Sequence, residues 1–152
     1  MADIVDSQTR SRMMAGIRGK DTQPELVLRR ALHGHGFRYR LHARDVAGRP
    51  DLVLKKYRAI IFVHGCFWHR HENCRLATTP ATRPEFWADK FAANVARDRA
   101  VQESLLAEGW RVATIWECAL CKPHMVDTAA GFVRDWLFSE GSRLDIGEAD
   151  LE

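Results

Sequence analysis

Five consecutive apolar residues, Ala59 to Val63, form the longest uncharged apolar stretch of the chain, and their flanks constrain the fold. A run this short reads as a strand central in a sheet, and it falls far short of the ~20 residues needed to cross a membrane. A turn around Tyr57 separates it from a second strand-like run, Asp51 to Lys55. Before that, across the loop Ala47-Gly48-Arg49-Pro50, Phe37 to Leu41 alternates apolar and basic residues as a half-buried strand does. Connections so short make the three runs an antiparallel meander. After a Cys/His-rich loop, Thr82-x-x-Glu85 with Pro84 starts a long helix reaching about Glu108, and Gly109 ends it. Arg111 to Trp116 is a fourth apolar run, and a long helical crossover demands that it pair in parallel. The expected class is α/β in the α+β sense, a mixed sheet flanked by helices.

Thr22 and Glu25 form another capping-box pattern, with Pro24 in the first turn. The helix it opens carries Leu26, Leu28 and Leu32 on its apolar side and stops at Gly34 and Gly36. Ser7 is placed to cap a shorter helix to about Ala15, and a last helix near residues 126–139 buries Phe132, Val133, Trp136 and Leu137. With 152 residues the chain is one domain long, able to bury roughly two-thirds of its unfolded surface without disulfides. The start, Met-Ala-Asp-Ile-Val-Asp, lacks the basic and apolar runs of a signal peptide. These features exclude a membrane protein, a secreted miniprotein and a disordered tail.

The net charge of +3 is unevenly spread. Residues 140–152 hold five acids against Arg143, a net of −4, which leaves +7 on residues 1–139. Arg10, Arg12, Arg18 and Lys20 form an acid-free basic arm, which points to a polyanionic partner. The tail after Glu140 is expected to fray.

Cys66, His71 and Cys74 are spaced C-x4-H-x2-C after the third strand, and Cys118 and Cys121 form a C-x2-C pair after the fourth. Parallel neighbours would bring both groups to one sheet edge. Thiolates and imidazoles at such separations suit tetrahedral zinc, and there are enough of them to close its shell, which reads as a structural site. Asp51, at the start of the second strand, can meet His64 and His69 at an edge of the meander. A carboxylate holding Mg²⁺ beside a neutral histidine able to take a proton from water is a workable phosphodiesterase site. Phe67-Trp68 stands between Cys66 and His69, and Phe86-Trp87 opens the long helix. Large aromatics on a fixed loop beside a basic surface can be wedged between base pairs. Phe86 is expected to be a core residue instead.

Taken together, several blocks make the chain resemble the very short patch repair (Vsr) DNA mismatch endonucleases over about residues 1–139. They are Thr-Arg-Ser-Arg-Met-Met at 9–14, Gly-Arg-Pro-Asp at 48–51, Val-His-Gly-Cys-Phe-Trp-His at 63–69, Pro-Ala-Thr-Arg-Pro-Glu-Phe-Trp at 80–87, Asn-Val-Ala-Arg-Asp-Arg at 94–99, Gly-Trp-Arg-Val at 109–112 and Trp-Glu-Cys-Ala-Leu at 116–120. The resemblance implies a restriction-endonuclease-like core with a zinc-bound loop, in a single domain over 1–139 with a DNA-binding arm at 1–20 and a flexible acidic tail at 140–152. It implies nicking of one strand 5′ of the thymine in T·G mismatches left by 5-methylcytosine deamination, as part of mismatch repair. By carry-over Asp51 and the Val63 carbonyl would hold Mg²⁺, and His69 would be the general base oriented by Asp98, with His64 and Glu25 in or beside the site. Phe67, Trp68 and Trp87 would intercalate, Met14 would wedge from the opposite groove, and Lys90 and Asn94 would read the mispair. Zn²⁺ would sit on Cys66, His71, Cys74 and Cys118. A monomer on bacterial double-stranded DNA in the cytoplasm, at the nucleoid and in contact with the repair machinery, is the setting implied.

Two departures stand out. Glu72-Asn73 looks like a one-residue insertion between ligand positions, and Cys121 is an extra thiol able to compete with Cys118. The third strand also carries Val63 and His64 where the wider nuclease superfamily has an acid and a lysine. A different class of function, a zinc-stabilised DNA-binding module without cleavage, accounts for the basic arm and aromatics equally well.

Overall fold

The computed structural model describes residues 21–151. Helix α1 (Gln23–Gly34) begins where Thr22 Oγ1 accepts the Glu25 N–H at 3.4 Å, the capping contact expected of that sequence. Leu28 and Leu32, four apart, face inward and are fully buried, each contributing about 2–3 kcal/mol of apolar burial. The helix ends as a Schellman turn. Gly36 takes φ +95°, and the Phe37 N–H reaches back to the Leu32 carbonyl at 3.1 Å, carrying the Phe37 ring into the core. That stop costs the first strand most of its expected length: β1 is only Arg40–Leu41.

Strand β2 (Leu52–Leu54) pairs antiparallel with β1 and with β3 (Ala59–His64), in register Leu52 to Ile61 and Leu54 to Ala59. Helix α2 (Pro84–Ala107) then crosses over to β4 (Arg111–Trp116), which runs parallel to β3 with His64 opposite Trp116. The meander and the parallel return expected from the sequence are both present. At the start of α2 the cap position is held by Arg83 in a left-handed conformation, φ +53°, one residue past the expected Thr82. Helix α3 (Pro123–Leu137) starts three residues before the expected Val126, with a proline in its first turn.

Side chains alternate across β3, and each face has its own core. Ala59 and Ile61 join Leu28, Leu32, Leu52, Ile115 and Val133 beneath α1 and α3. Ile60 and Phe62 join Val53, Val112 and Leu105 beneath α2. By the same alternation His64 projects to the α2 side, where it contacts Phe62.

Two expectations are corrected here. Residues 143–146, placed in a frayed acidic tail, form β5 (Arg143–Ile146), parallel to β4 and completing a five-stranded mixed sheet. The acid count concealed an alternation in which Leu144 and Ile146 turn inward, and Arg111 secures the approach by donating to the carbonyls of Leu137, Ser139 and Gly141. Phe132, expected on the buried side of α3, is 43% exposed, since Ala129, Ala130 and Val133 fill the contact with the sheet instead.

Candidate active site

Asp51 stands at the mouth of β2, fixed by the buried Pro50 before it and by the Val63 N–H, which donates to its Oδ2 at 2.7 Å. The loop ahead of it leaves no room for variation. Gly48 has φ +78°, and a methyl group there would lie 2.3 Å from Val101 Cγ1 on α2. Burial raises the Asp51 carboxyl to about 7; the neighbouring Glu25 adds to the push and the Val63 N–H opposes it. Glu25 itself is 1% exposed and heavily bonded. Arg29 Nη1 donates to its Oε2 at 2.8 Å and the Asp21 N–H to its Oε1 at 3.1 Å, while His42 Nε2 lies 3.0 and 2.8 Å from the two oxygens.

Across the sheet edge His69 Nδ1 meets Asp98 Oδ2 at 2.6 Å, which fixes the tautomer and leaves Nε2 as the free ring nitrogen. The His64 ring lies parallel to that of His69, 3.8 Å between centroids. Burial, with His69 beside it, lowers His64 to about 3, so this imidazole is neutral. A cavity of about 190 Å³ is lined by Asp51, His64, His69 and Asp98 together with Arg49 and Arg97. The meander edge therefore gathers the acid and the two histidines picked out in the sequence.

Cys66, His71, Cys74 and Cys118 converge with their ligand atoms all within 4.8 Å of one another. His71 Nδ1 lies 3.7 Å from Cys66 Sγ and 3.5 Å from Cys118 Sγ. Those separations match the edges of a tetrahedron about zinc, roughly 3.3–3.8 Å for bonds of 2.0–2.3 Å. Burial raises both the Cys66 and the Cys118 thiols. Cys121 is exposed and donates to the Glu117 carbonyl, outside the cluster, and the extra residue at Glu72-Asn73 is taken up in a turn where Asn73 is left-handed.

Between the two clusters the aromatics pack together. Phe67 sits edge-on to Trp68, Trp87 and Phe91, at centroid distances of 5.0, 5.6 and 5.2 Å. Phe67 and Trp68 are partly exposed, whereas Trp87 is buried among its neighbours. Phe86, expected in the core, is 44% exposed beneath the Arg83 guanidinium, because Trp87 and Phe91 occupy the inward side of α2. Asn94 Nδ2 donates to the Trp68 carbonyl at 3.1 Å, and Lys90 is exposed on the same helix. Met14 and the basic arm lie outside the described residues.

The family model for the DNA mismatch endonuclease Vsr matches residues 2–76. The DNA mismatch endonuclease Vsr of Escherichia coli is 43% identical over 148 residues, covering 96% of this chain and 94% of the relative. The chain belongs to the Vsr family. Two further relatives are the type II nicking enzyme V.XorIIP of Xanthomonas oryzae pv. oryzae, 45% identical over 79% of this chain and 88% of its own length, and V.NmeAIP of Neisseria meningitidis, 39% identical over 79% and 85%.

Several residues of this Vsr-family site escaped the sequence reading. Arg70 stacks on Phe91 at 4.1 Å and donates to the carbonyls of Phe67, Ala77 and Thr78, so one side chain binds the loop together beneath the aromatics. Gly147, just after β5, abuts His71: a methyl there would fall 2.5 Å from Cε1. The Glu148 N–H donates to Cys118 Sγ at 3.2 Å. His42 was equally silent, a single histidine between Leu41 and Ala43.

Proposed function

We propose that this Vsr-family chain is a DNA-nicking endonuclease that cuts one strand 5′ of the thymine in T·G mismatches, such as those left by 5-methylcytosine deamination, on the bacterial chromosome. The observation that carries this reading is the His69–Asp98 pair at 2.6 Å, opening into the same cavity as Asp51. Burial, with a second carboxylate beside it, raises the Asp51 carboxyl to about 7 in the absence of a cation, the arrangement that a hard divalent ion relieves. Asp51 and the Val63 carbonyl would hold Mg²⁺, which supplies an acidified water and offsets charge on the leaving oxygen. His69 Nε2 takes the proton from the attacking water, and Asp98 holds the ring and steadies the charge it gains. His64, neutral and stacked, keeps the His69 plane in place.

Zn²⁺ fits Cys66, His71, Cys74 and Cys118, three thiols and an imidazole whose ligand atoms lie within 4.8 Å of one another, and there it would make the 65–80 loop rigid within a restriction-endonuclease-like core. Phe67 and Trp68, standing on that loop, are the side chains presented to a base step, with Trp87 behind them and Met14 approaching from the other groove. Lys90 and Asn94 face the mispair from α2; Asn94 also ties the helix to Trp68. We read the chain as acting alone on the duplex, as a monomer, and delivering the nick to the mismatch-repair machinery. Among the described residues no helix is long and apolar enough to cross a membrane.

The deciding experiment is nicking of an end-labelled T·G duplex and its T·A counterpart with Mg²⁺. Wild type should nick the mismatch on the thymine strand. Asp51→Ala should fall to background, His69→Ala should lose about 10²–10⁴-fold, and Asp98→Asn should lose less than His69→Ala. Wild-type rates from Asp51→Ala, or tight binding without cleavage in any divalent metal, would overturn the mechanism.

A further inference from the structure

His42 is a residue to which the reading above gives no part, yet both its backbone and its ring are fixed beside Glu25. It sits at φ +47°, a left-handed conformation that is strained for a non-glycine residue. Its own N–H donates to the Asp51 carbonyl at 3.2 Å, so the backbone before β2 is tied to it. Its ring reaches across to α1 and places Nε2 within 3.0 Å of both Glu25 oxygens. A carboxylate offers about four lone-pair sites. Arg29, the Asp21 N–H and the forked His42 contact take up nearly all of them on Glu25. Glu25 therefore has little left with which to bind a cation directly, while its carboxyl lies within hydrogen-bonding reach of Asp51.

We propose that His42 is a positioning residue: with Arg29 it clamps Glu25 against Asp51, so that Glu25 acts on the divalent cation through its charge, as an outer carboxylate, and Asp51 alone is the protein's carboxylate ligand. This rests on the proposed Mg²⁺ role of Asp51. The clamp requires a donor at the end of a side chain of histidine's reach and requires no imidazole chemistry. Glutamine supplies such a donor; leucine fills the volume without one.

The test is Mn²⁺ binding to the DNA-free protein, followed by electron paramagnetic resonance, alongside Mg²⁺ titrations of nicking. His42→Leu should weaken Mn²⁺ binding about five- to tenfold and raise the Mg²⁺ concentration for half-maximal nicking similarly. The affinity for T·G duplex in Ca²⁺ should not move. His42→Gln should stay within about twofold of wild type, and in a Glu25→Gln background His42→Leu should add nothing, the non-additivity expected of one unit. Wild-type Mn²⁺ binding by His42→Leu, equal loss in the leucine and glutamine variants, or additive losses with Glu25→Gln would each overturn the clamp. If His42→Leu does not fold, His42→Asn, whose amide falls short of Glu25, replaces it. Parity of the asparagine and glutamine variants is then the overturning result. A wild type that binds Mn²⁺ but leaves T·G duplex intact would count against the proposed substrate and leave the clamp to be judged by the Mn²⁺ data.

Discussion

Glu25 shows how one side chain can serve two ends. Its N–H and carboxylate complete the first turn of α1, and the same carboxylate, lodged at the N-terminal end of the helix dipole, leans on Asp51. The consequence falls on Asp51. In the folded, metal-free protein its carboxyl sits at about 7, against roughly 3.9 in the unfolded chain, so folding favours the protonated form. The associated stability is complete below about pH 4 and is lost as the pH rises toward 7. Asp51→Asn, unable to ionise, should therefore match wild type at pH 4 and exceed it by on the order of 4 kcal/mol at pH 8, measured by denaturant unfolding in EDTA. A difference that does not change with pH would remove the role given to burial. Asp51 and His64 were legible because each is anchored to a strand end, His69 because it follows β3 by only five residues, and a meander leaves little freedom for where strand ends meet. His42 was not legible, since its place depends on a left-handed backbone angle that a histidine code does not announce.

Among the elements, β3 and β4 match their expected bounds, because both are apolar runs closed by polar punctuation. The elements that departed did so where local signal and packing disagree. Thr82 has the chemistry of a cap, yet the chain turns one residue later at Arg83. Phe86 and Trp87 are adjacent on a helix and so cannot both face inward; the contacts of Phe67 and Phe91 select Trp87. β5 was hidden by its acids, and its recovery changes what the Cys/His cluster depends on. Gly147 and the Glu148 N–H close the side of that cluster away from the loop, and Arg75 pairs with Glu148 at 3.1 Å across it. Gly147→Ala should therefore displace His71. Zinc content by atomic absorption, close to one equivalent in wild type, should fall severalfold in Gly147→Ala and in Cys118→Ser and stay unchanged in Cys121→Ser. Full metal retention in Gly147→Ala would separate β5 from the cluster.

Over the whole molecule, three layers divide the labour. α1 and α3 cover one face of the sheet with the larger core, and α2 covers the other while bordering the cavity. The charge follows a different division, +7 on residues 1–139 against −4 beyond, with four cations between Arg10 and Lys20. If those cations neutralise phosphates, deleting residues 1–20 should reduce the slope of log affinity against log salt for duplex DNA by up to about 3.6. An unchanged slope would place the phosphate contacts on the body alone. Binding in Ca²⁺ at several salt concentrations measures this directly.

The closing of the Cys/His cluster by residues that follow β5 also has a bearing on synthesis. Domains form in the order in which the chain emerges, and here three candidate ligands lie mid-chain, the fourth follows β4, and the wall behind them comes only with Gly147 and Glu148. The loop bearing Phe67 and Trp68 thus acquires its full support only once the chain has been made through Glu148. A nascent or truncated chain that stops before Gly147 would leave the 65–80 loop without that wall, however much of the sheet had already formed.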